Sequence, residues 1–231
     1  HGHSHLVSLF EIARVYMPRE NDLPEEIETV CAVVTGRRPD RWGQPTGDWA
    51  GFYDAKGYID AIFVALGVCP KYDEAVDFAY LPGRTAIISV NGRRVGALGQ
   101  IHPNVARSFD IDNEVAMFEI DLQALLAQSS ERANYEPVSP YPTVEQDLAI
   151  IVAADVEAER ALSIIRSFGL VRSDSVFDVY TGPQVPTGRK SLAFSVSFGS
   201  DRQTLKDEDV AGERERIVKR LAQELGAELR A

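Results

Sequence analysis

The sequence predicts an α+β chain in two parts. Residues 1–136 read as an antiparallel sheet with one or two covering helices, and residues 137–231 as a β-α-β-β-α-β unit. Three observations predict this. A polar stretch over 128–134, followed by Pro137, Pro140 and Pro142, interrupts all periodicity, because proline blocks helix continuation and stiffens an extended segment. After it, period-two and period-3.6 apolar patterns alternate in a fixed order. Before it, Asn91-Gly92 lies between two apolar runs, a strong hairpin signal because a type I′ turn needs positive φ at both central residues.

In the first part, residues 6–16 and 27–35 read as strands. Ile59, Ile62, Phe63 and Leu66 form the apolar stripe of a helix capped by Asp54 and stopped by Gly67. Residues 85–90 and 94–101 flank the hairpin turn, 103–109 suit a short helix, and 115–121 form another strand. In the second part, the apolar run 146–152 suits a buried strand. Asp155 offers an N-cap to a helix whose stripe is Ala158, Ala161, Leu162, Ile165 and Phe168, with Gly169 at its end. Residues 171–180 and 191–198 alternate as strands. Thr204 with Asp207 resembles a capping box, and Val210, Ile217, Leu221 and Leu225 make the apolar face of the last helix. Gly226 closes that helix, and 227–229 return as an edge strand. Two helices on one face of such a sheet leave the other face open.

Composition narrows the function classes. The chain has 231 residues, 45% hydrophobic and 26% charged, ordinary for a globular protein of one or two domains. Its net charge is −11, with 12 basic against 20 acidic residues in 1–136 and 12 against 15 in 137–231. That is not the basic stripe of a typical nucleic-acid binder, so any RNA contact must come from a local patch or from base stacking. No apolar run approaches the roughly 18–20 residues of a membrane helix. No export signal is expected, since His1-Gly2-His3-Ser4-His5 carries no basic region leading into an apolar one. Cys31 and Cys69 form no CxxC, and a reduced, cytoplasmic setting is the simple expectation.

The pair 177–180 and 191–198 carries the most chemistry. Period-two alternation sends Phe177 and Val179 to one face and Asp178 and Tyr180 to the other. On the second strand Leu192, Phe194, Val196 and Phe198 face the helices, leaving Ser191, Ala193, Ser195 and Ser197 outward. A small polar floor with one ring suits a stacked nucleobase, and the acceptor-only Asp178 suits a base's amino or imino group. The competing reading is a solvated strand face with a stray tyrosine. Arg189, Lys190, Arg202 and Lys206 lie at loop and helix ends around that sheet, where they could touch phosphate or be ordinary surface. Glu215 and Lys219 have the spacing of a surface ion pair on a solvated helix face. The glycine strand 96–102 lacks the spacing of a phosphate loop and reads as a site of close backbone approach. His102, beside Pro103, reads as a capping or packing residue. His1, His3 and His5 alternate like a metal tract but have no acidic or cysteine partner nearby, so no metal site is assigned. No catalytic residue is assigned either: no paired acid–base or nucleophile constellation appears.

The order Tyr141-Pro142-Thr143, then 177–180, Thr181-Gly182-Pro183, Arg189-Lys190-Ser191 and Arg202-Gln203-Thr204-Leu205 resembles the ferredoxin-fold anticodon-binding domain of the phenylalanine–tRNA ligase β-subunit family. The first part resembles the same family's class II synthetase-like module. Leu9-Phe10-Glu11-Ile12-Ala13-Arg14-Val15-Tyr16 is similar to its opening strand, and Phe52-Tyr53-Asp54-Ala55-Lys56-Gly57 to its helix start. Leu81-Pro82-Gly83-Arg84-Thr85-Ala86, Asn91-Gly92 and 96–103 are similar to its hairpin and glycine strand. The resemblance implies a class II synthetase-like antiparallel module over 1–136 and a ferredoxin-like domain over 137–231. It implies membership of an α2β2 enzyme that joins phenylalanine to tRNA(Phe), with ATP and Mg²⁺ bound by the α subunit and none in this fragment. The β module is then a degenerate copy of the catalytic fold: its glycine strand ends in His102-Pro103, not in an arginine that would bind ATP. RNA contacts fall on Asp178, Tyr180, Arg189, Lys190 and Ser191, with neither membrane nor DNA as a partner. One departure concerns the first strand of the second part, where Glu145-Gln146-Asp147 replaces the family's Arg-Arg-Asp. The family's editing domain and its N-terminal tRNA-binding domain are not in this sequence, which reads as a C-terminal fragment. The alternatives are a ferredoxin-like regulatory module for a small molecule such as an amino acid, and a free-standing enzyme.

Overall fold

The computed structural model describes residues 5–39, 47–129 and 139–230, in two compact units, His1–Asn134 and Tyr135–Ala231. The His1 and His3 of the histidine tract, and Ala133, Asn134 and Pro137 of the interrupting stretch, lie outside the described residues.

The first unit is one six-stranded antiparallel sheet. Its strands are β1 (Val7–Met17), β2 (Glu25–Thr35), β3 (Lys71–Glu74), β4 (Tyr80–Val90), β5 (Arg93–Ile101) and β6 (Val115–Asp121), in the order β1-β2-β6-β5-β4-β3. Helix α1 (Phe52–Ala65) covers one face, burying Ala55, Ile59 and Phe63 against Val34, Ile88, Leu98, Phe118 and Ile120. The hairpin turn is as predicted, with Asn91 at φ 49° and Gly92 at φ 78°. Gly96 and Gly99 of β5 are places of close approach: a Cβ on Gly96 would strike the Glu119 carbonyl, and one on Gly99 the Tyr80 ring. His102 caps α2 (Pro103–Arg107), its Nδ1 accepting from the Asn104 N–H at 3.1 Å.

The short strand β3 and the short helix α3 (Leu122–Leu126) were not foreseen, being too brief for a periodic signal. Asp54 is not the N-cap of α1 but sits one turn inside. Its Oδ2 accepts from the Gly51 N–H at 2.8 Å, and its carboxylate meets the Arg38 fork at 2.7 and 2.9 Å. Burial alone would raise the Asp54 carboxyl, but the Arg38 hydrogen bonds, the Gly51 N–H and the Arg38 charge outweigh it and hold the pKa below the usual range. A lowered folded pKa stabilises above the unfolded value of roughly 4, and the contribution disappears as pH falls through the folded pKa. Asp54→Asn should therefore cost about 1 kcal/mol at neutral pH and nothing in strong acid. Urea melts of both proteins across the acid range check this; a difference that persists in strong acid contradicts it.

The second unit has the element order β7 (Val144–Ala153), α4 (Ala158–Arg166), β8 (Val171–Tyr180), β9 (Arg189–Phe198), α5 (Asp207–Leu225) and β10 (Glu228–Leu229), with sheet order β10-β7-β9-β8. Every pairing is antiparallel. Leu148, Ile150, Leu192, Phe194, Val196 and Phe198 pack under Ile165 of α4 and Val210, Ile217 and Leu221 of α5. Three expected helix signals differ in detail. Helix α4 is preceded by Glu157, not Asp155, since Asp155 lies in the turn in which the Val156 N–H bonds the Ala153 carbonyl at 3.1 Å. It ends at Ser167, whose hydroxyl bonds the Ile164 carbonyl at 2.6 Å, before Gly169 is reached. Helix α5 starts after Lys206, whose N–H is accepted by Asp209 at 3.0 Å, so Thr204 is not its cap. The Glu215–Lys219 ion pair does not form. On that helix Arg216 pairs with Glu213, Arg220 with Glu224, and Glu213 is buried, so part of the charged run belongs to the packed side. Gly226, left-handed at φ 60°, turns the chain from α5 into β10. No described helix is long and apolar enough to cross a membrane.

Candidate nucleic-acid interface

Both helices of the second unit pack on one face of the sheet, and strand register decides what the other face presents. Facing residues of an antiparallel pair share a face. On β7 and β9, Ile150 opposes Leu192 and Leu148 opposes Phe194, all buried beneath the helices. The intervening pairs therefore form the opposite face: Ile151–Ser191, Ala149–Ala193, Asp147–Ser195 and Glu145–Ser197. Of these eight residues only Ser191 is buried, so this face of the sheet carries no helix.

Strand β8 joins this face through a β-bulge. Val176 opposes Phe194 in the core, and Asp178 opposes Ala193 on the open face. Strict alternation would put residues 176 and 178 on the same side. Phe177 is the extra residue that lets Val176 stay in the core while Asp178 and Tyr180 emerge on the open face. The bulge leaves Phe177 58% exposed at the sheet edge. Val179 opposes Leu192 on the helix side yet is exposed.

The sequence-predicted residues are placed as follows. Asp178 is exposed, and no described residue donates to its carboxylate. Tyr180 opposes Ser191 and is half-buried, with its hydroxyl end lying against Gly182. Ser191 is only 2% exposed, and its Oγ accepts from Arg230 Nη1 at 3.3 Å. Arg189 is committed to the C-terminal strand: it pairs with Glu228, and its Nη2 donates to the Gly226 carbonyl at 2.9 Å and the Ile151 carbonyl at 3.4 Å. Lys190 opposes Val152, so its register belongs to the helix side, at the end of its strand. Register thus gathers Asp178, Tyr180, Ser191 and Arg189 on the open face and leaves Lys190 at its margin. Arg202 and Lys206 are exposed.

Sequence reasoning missed Arg230. Its N–H bonds the Ala149 carbonyl at 2.9 Å, extending the β10 register by one residue onto the open face. From there its guanidinium lies 5.1 Å from the Tyr180 ring centroid and donates to Ser191 and, at 2.8 Å, to Gln184 Oε1. The edge strand was legible, but a side chain reaching across two strands has no local sequence signal. Taken together, the open face offers a ring, an unpaired carboxylate, serine hydroxyls and a held guanidinium, which suits a planar, hydrogen-bonding ligand.

Among the described residues no cluster of three or more His, Cys, Asp or Glu could hold a metal ion. Burial, with Glu119 and Glu11 nearby, pushes the Cys31 thiol up, away from the reactive thiolate form.

Comparison with known proteins bears on both units. Residues 2–122 match the family model of the phenylalanyl tRNA synthetase beta chain CLM domain. Residues 139–230 match that of the ferredoxin-fold anticodon binding domain. The chain is 37% identical over 223 residues to the phenylalanine–tRNA ligase beta subunit of Dehalococcoides mccartyi, 38% over 229 residues to that of Geobacillus kaustophilus, and 36% over 228 residues to that of Moorella thermoacetica. These alignments take in 96–97% of this chain and 28% of each relative's length.

Proposed function

The chain belongs to the phenylalanyl-tRNA synthetase β-chain family, and from that premise we propose that it is the non-catalytic C-terminal part of such a β chain, supporting the α subunit and binding the anticodon region of tRNA(Phe). The reaction it serves is ATP-dependent aminoacylation by an α2β2 enzyme in the cytoplasm, with ATP and Mg²⁺ held by the α subunit. The observation that carries the RNA reading is the open sheet face, with Tyr180 and the unpaired Asp178 on it. In this proposal Tyr180 stacks on an anticodon base and the exposed Asp178 meets a base edge, while Ser191, 2% exposed and bonded to Arg230, meets one only if Arg230 shifts to uncover it. Lys190, at the margin, meets backbone phosphate. Arg189 reaches phosphate only by giving up its Glu228 pair, so the phosphate contact rests chiefly on Lys190.

The proposal assigns residues 1–136 to a degenerate class II catalytic-like module. Two features support the absence of a nucleotide site there. The Tyr80 ring lies on Gly99, where a glycine strand would otherwise admit a ligand, and His102 spends its Nδ1 on capping α2. The α-subunit reading is supported by β1, an edge strand exposed along nearly its whole length and rich in apolar side chains.

With few phosphate contacts, RNA affinity should depend only weakly on salt. Each contact to a single strand contributes about −0.7 to the slope of log K against log salt, so Lys190→Ala should flatten the slope by about that much. Salt titrations of tRNA(Phe) binding by the assembled ligase check this, and an unaltered slope removes Lys190 from the phosphate contacts.

A further inference from the structure

Strand β7 is paired on both sides for only part of its length. Strand β9 runs along all of it, from Val144 to Ala153, without a register shift. Strand β10 covers only Ile151 and Ile150, and the Arg230 N–H bonds the Ala149 carbonyl just beyond them. From Val144 to Leu148 no described strand lies on the outer side. We propose that this free edge takes an extended peptide segment of a partner protein, added as a strand end to end with β10. Its basic side chains lie opposite Asp147 and Glu145, and an acidic one lies opposite Gln146. The site is separate from Tyr180 and does not rest on the anticodon-binding reading.

Three observations carry the inference. The first is backbone parity. Ala149 directs its carbonyl outward to Arg230, so by alternation Asp147 and Glu145 direct their carbonyl and N–H groups to the same side. A row of such groups is a template for another strand. The opposite edge of the sheet, β8, is interrupted by two register shifts, which bend an edge away from such pairing. The second is a groove. A cavity of about 410 Å³ lies beside the free edge, lined by Gln146, Asp147, Ala211, Arg214 and Glu215. Ala211, Arg214 and Glu215 share one stripe of α5, and Gln146 opposes Val196 on the helix side. Every second side chain of an added strand therefore enters this groove. The third is charge. Arg214 is half-buried in the groove wall, and no described residue accepts from its guanidinium. It suits an acidic side chain entering opposite Gln146. On the other face, the exposed Asp147 and Glu145 stand directly opposite the two flanking positions, which suits lysine or arginine there. The same charges disfavour other occupants. A second copy pairing through this edge about Gln146 would set Glu145 against Asp147, like charges directly opposed. An RNA strand would meet Glu145, Asp147 and Glu215 with Arg214 alone to offset them.

The test titrates two capped pentapeptides, Val-Lys-Glu-Lys-Val and the charge-swapped Val-Glu-Lys-Glu-Val, into the full 231-residue chain labelled for amide chemical shifts. The first peptide should shift the Glu145 and Asp147 amides saturably, and the swapped one should bind at least about 5-fold more weakly. Arg214→Ala should weaken the first peptide by about 5-fold. Its thermal stability should stay at wild type, because the side chain has no partner among the described residues to lose. Asp147→Pro removes one outward N–H without touching the β7–β9 ladder and should abolish the shift at Glu145. Thermal melts show whether that variant keeps the fold; if it does not, the Arg214→Ala result decides. The inference is overturned by absent shifts, by shifts confined to β1, β3 or β8, by equal affinity for the two peptides, or by wild-type affinity in Arg214→Ala or in folded Asp147→Pro. It is overturned too if the same amides shift with protein concentration in the absence of peptide, which would make the occupant a second copy. Tyr180→Ala should bind the first peptide as wild type does, so a failure of the stacking reading leaves this result standing.

Discussion

Tyr180→Ala should raise the KM for tRNA(Phe) by roughly 5- to 150-fold and leave kcat close to wild type. The range follows from the worth of one base stacked on an aromatic side chain, about 1–3 kcal/mol. The loss belongs in KM because the anticodon lies remote from the reacting ester, so the contact is made equally in ground and transition states. Tyr180→Phe keeps the ring and should behave nearly as wild type. The fold should survive, because Tyr180 lies on the face opposite the packed core and Val176 and Leu192 remain in place beneath the helices. The stability cost is the lost Arg230 contact, about 0.5–1 kcal/mol. An unchanged KM in the assembled enzyme would remove Tyr180 from the RNA site.

Charging the edge strand of the first unit should separate the subunits. Strands β1 and β2 pair over their whole length, but β2 pairs with β6 only from Thr29 onward. Arg14–Met17 and Glu25–Glu28 thus form a two-stranded ribbon, an arrangement that is marginal in water unless something covers it, and Phe10 and Ile12 continue the same edge where β2 is already paired with β6. Phe10 is 77% exposed, Ile12 54% and Tyr16 60%, and their partners Ala32, Val30 and Glu26 put all three on one face. A long apolar edge is a liability that natural proteins cover, and the proposal assigns the cover to the α subunit. Anchors of this kind are worth about 2–4 kcal/mol each at an interface. Phe10→Asp or Ile12→Asp should therefore weaken association by at least about 30-fold and abolish co-purification of the α subunit in the double variant. Thermal stability of the chain should hardly move, because neither residue lies in its core. Recovery of the α subunit at wild-type stoichiometry would show that another surface carries the contact.

Much of this architecture was legible because it is written in local patterns. The stripe Ala161, Leu162 and Ile165 could bury itself in only one way, and does so, whereas of the run 146–152 only Leu148, Ile150 and Val152 enter the core and the alternate residues line the open face. Asn91-Gly92 demanded its turn from the backbone alone. The helix boundaries were less legible. Asp155, Gly169 and Thr204 are plausible signals, yet Glu157, Ser167 and Lys206 stand at the ends, since packing outweighs any single cap. The buried Glu213 was hidden inside a charged run because a pattern of signs does not reveal which carboxylate the neighbouring elements enclose.

The candidate site divides along the same line. Period-two alternation and a helix on either side of the strand pair were enough to determine that a half-covered sheet forms and that Tyr180 and Asp178 share its bare side. Only the tertiary structure decided that a bulge at Phe177 makes this compatible with Val176 in the core, that Lys190 falls to the margin, and that Arg189 and Arg230 belong to the C-terminal strand's hold on the site. The physical reason is range. Backbone periodicity and turn geometry act between residues a few positions apart. The reach of Arg230 to Ser191 and Tyr180 joins positions 39 and 50 residues distant, and such contacts exist only after the sheet has brought its strands together.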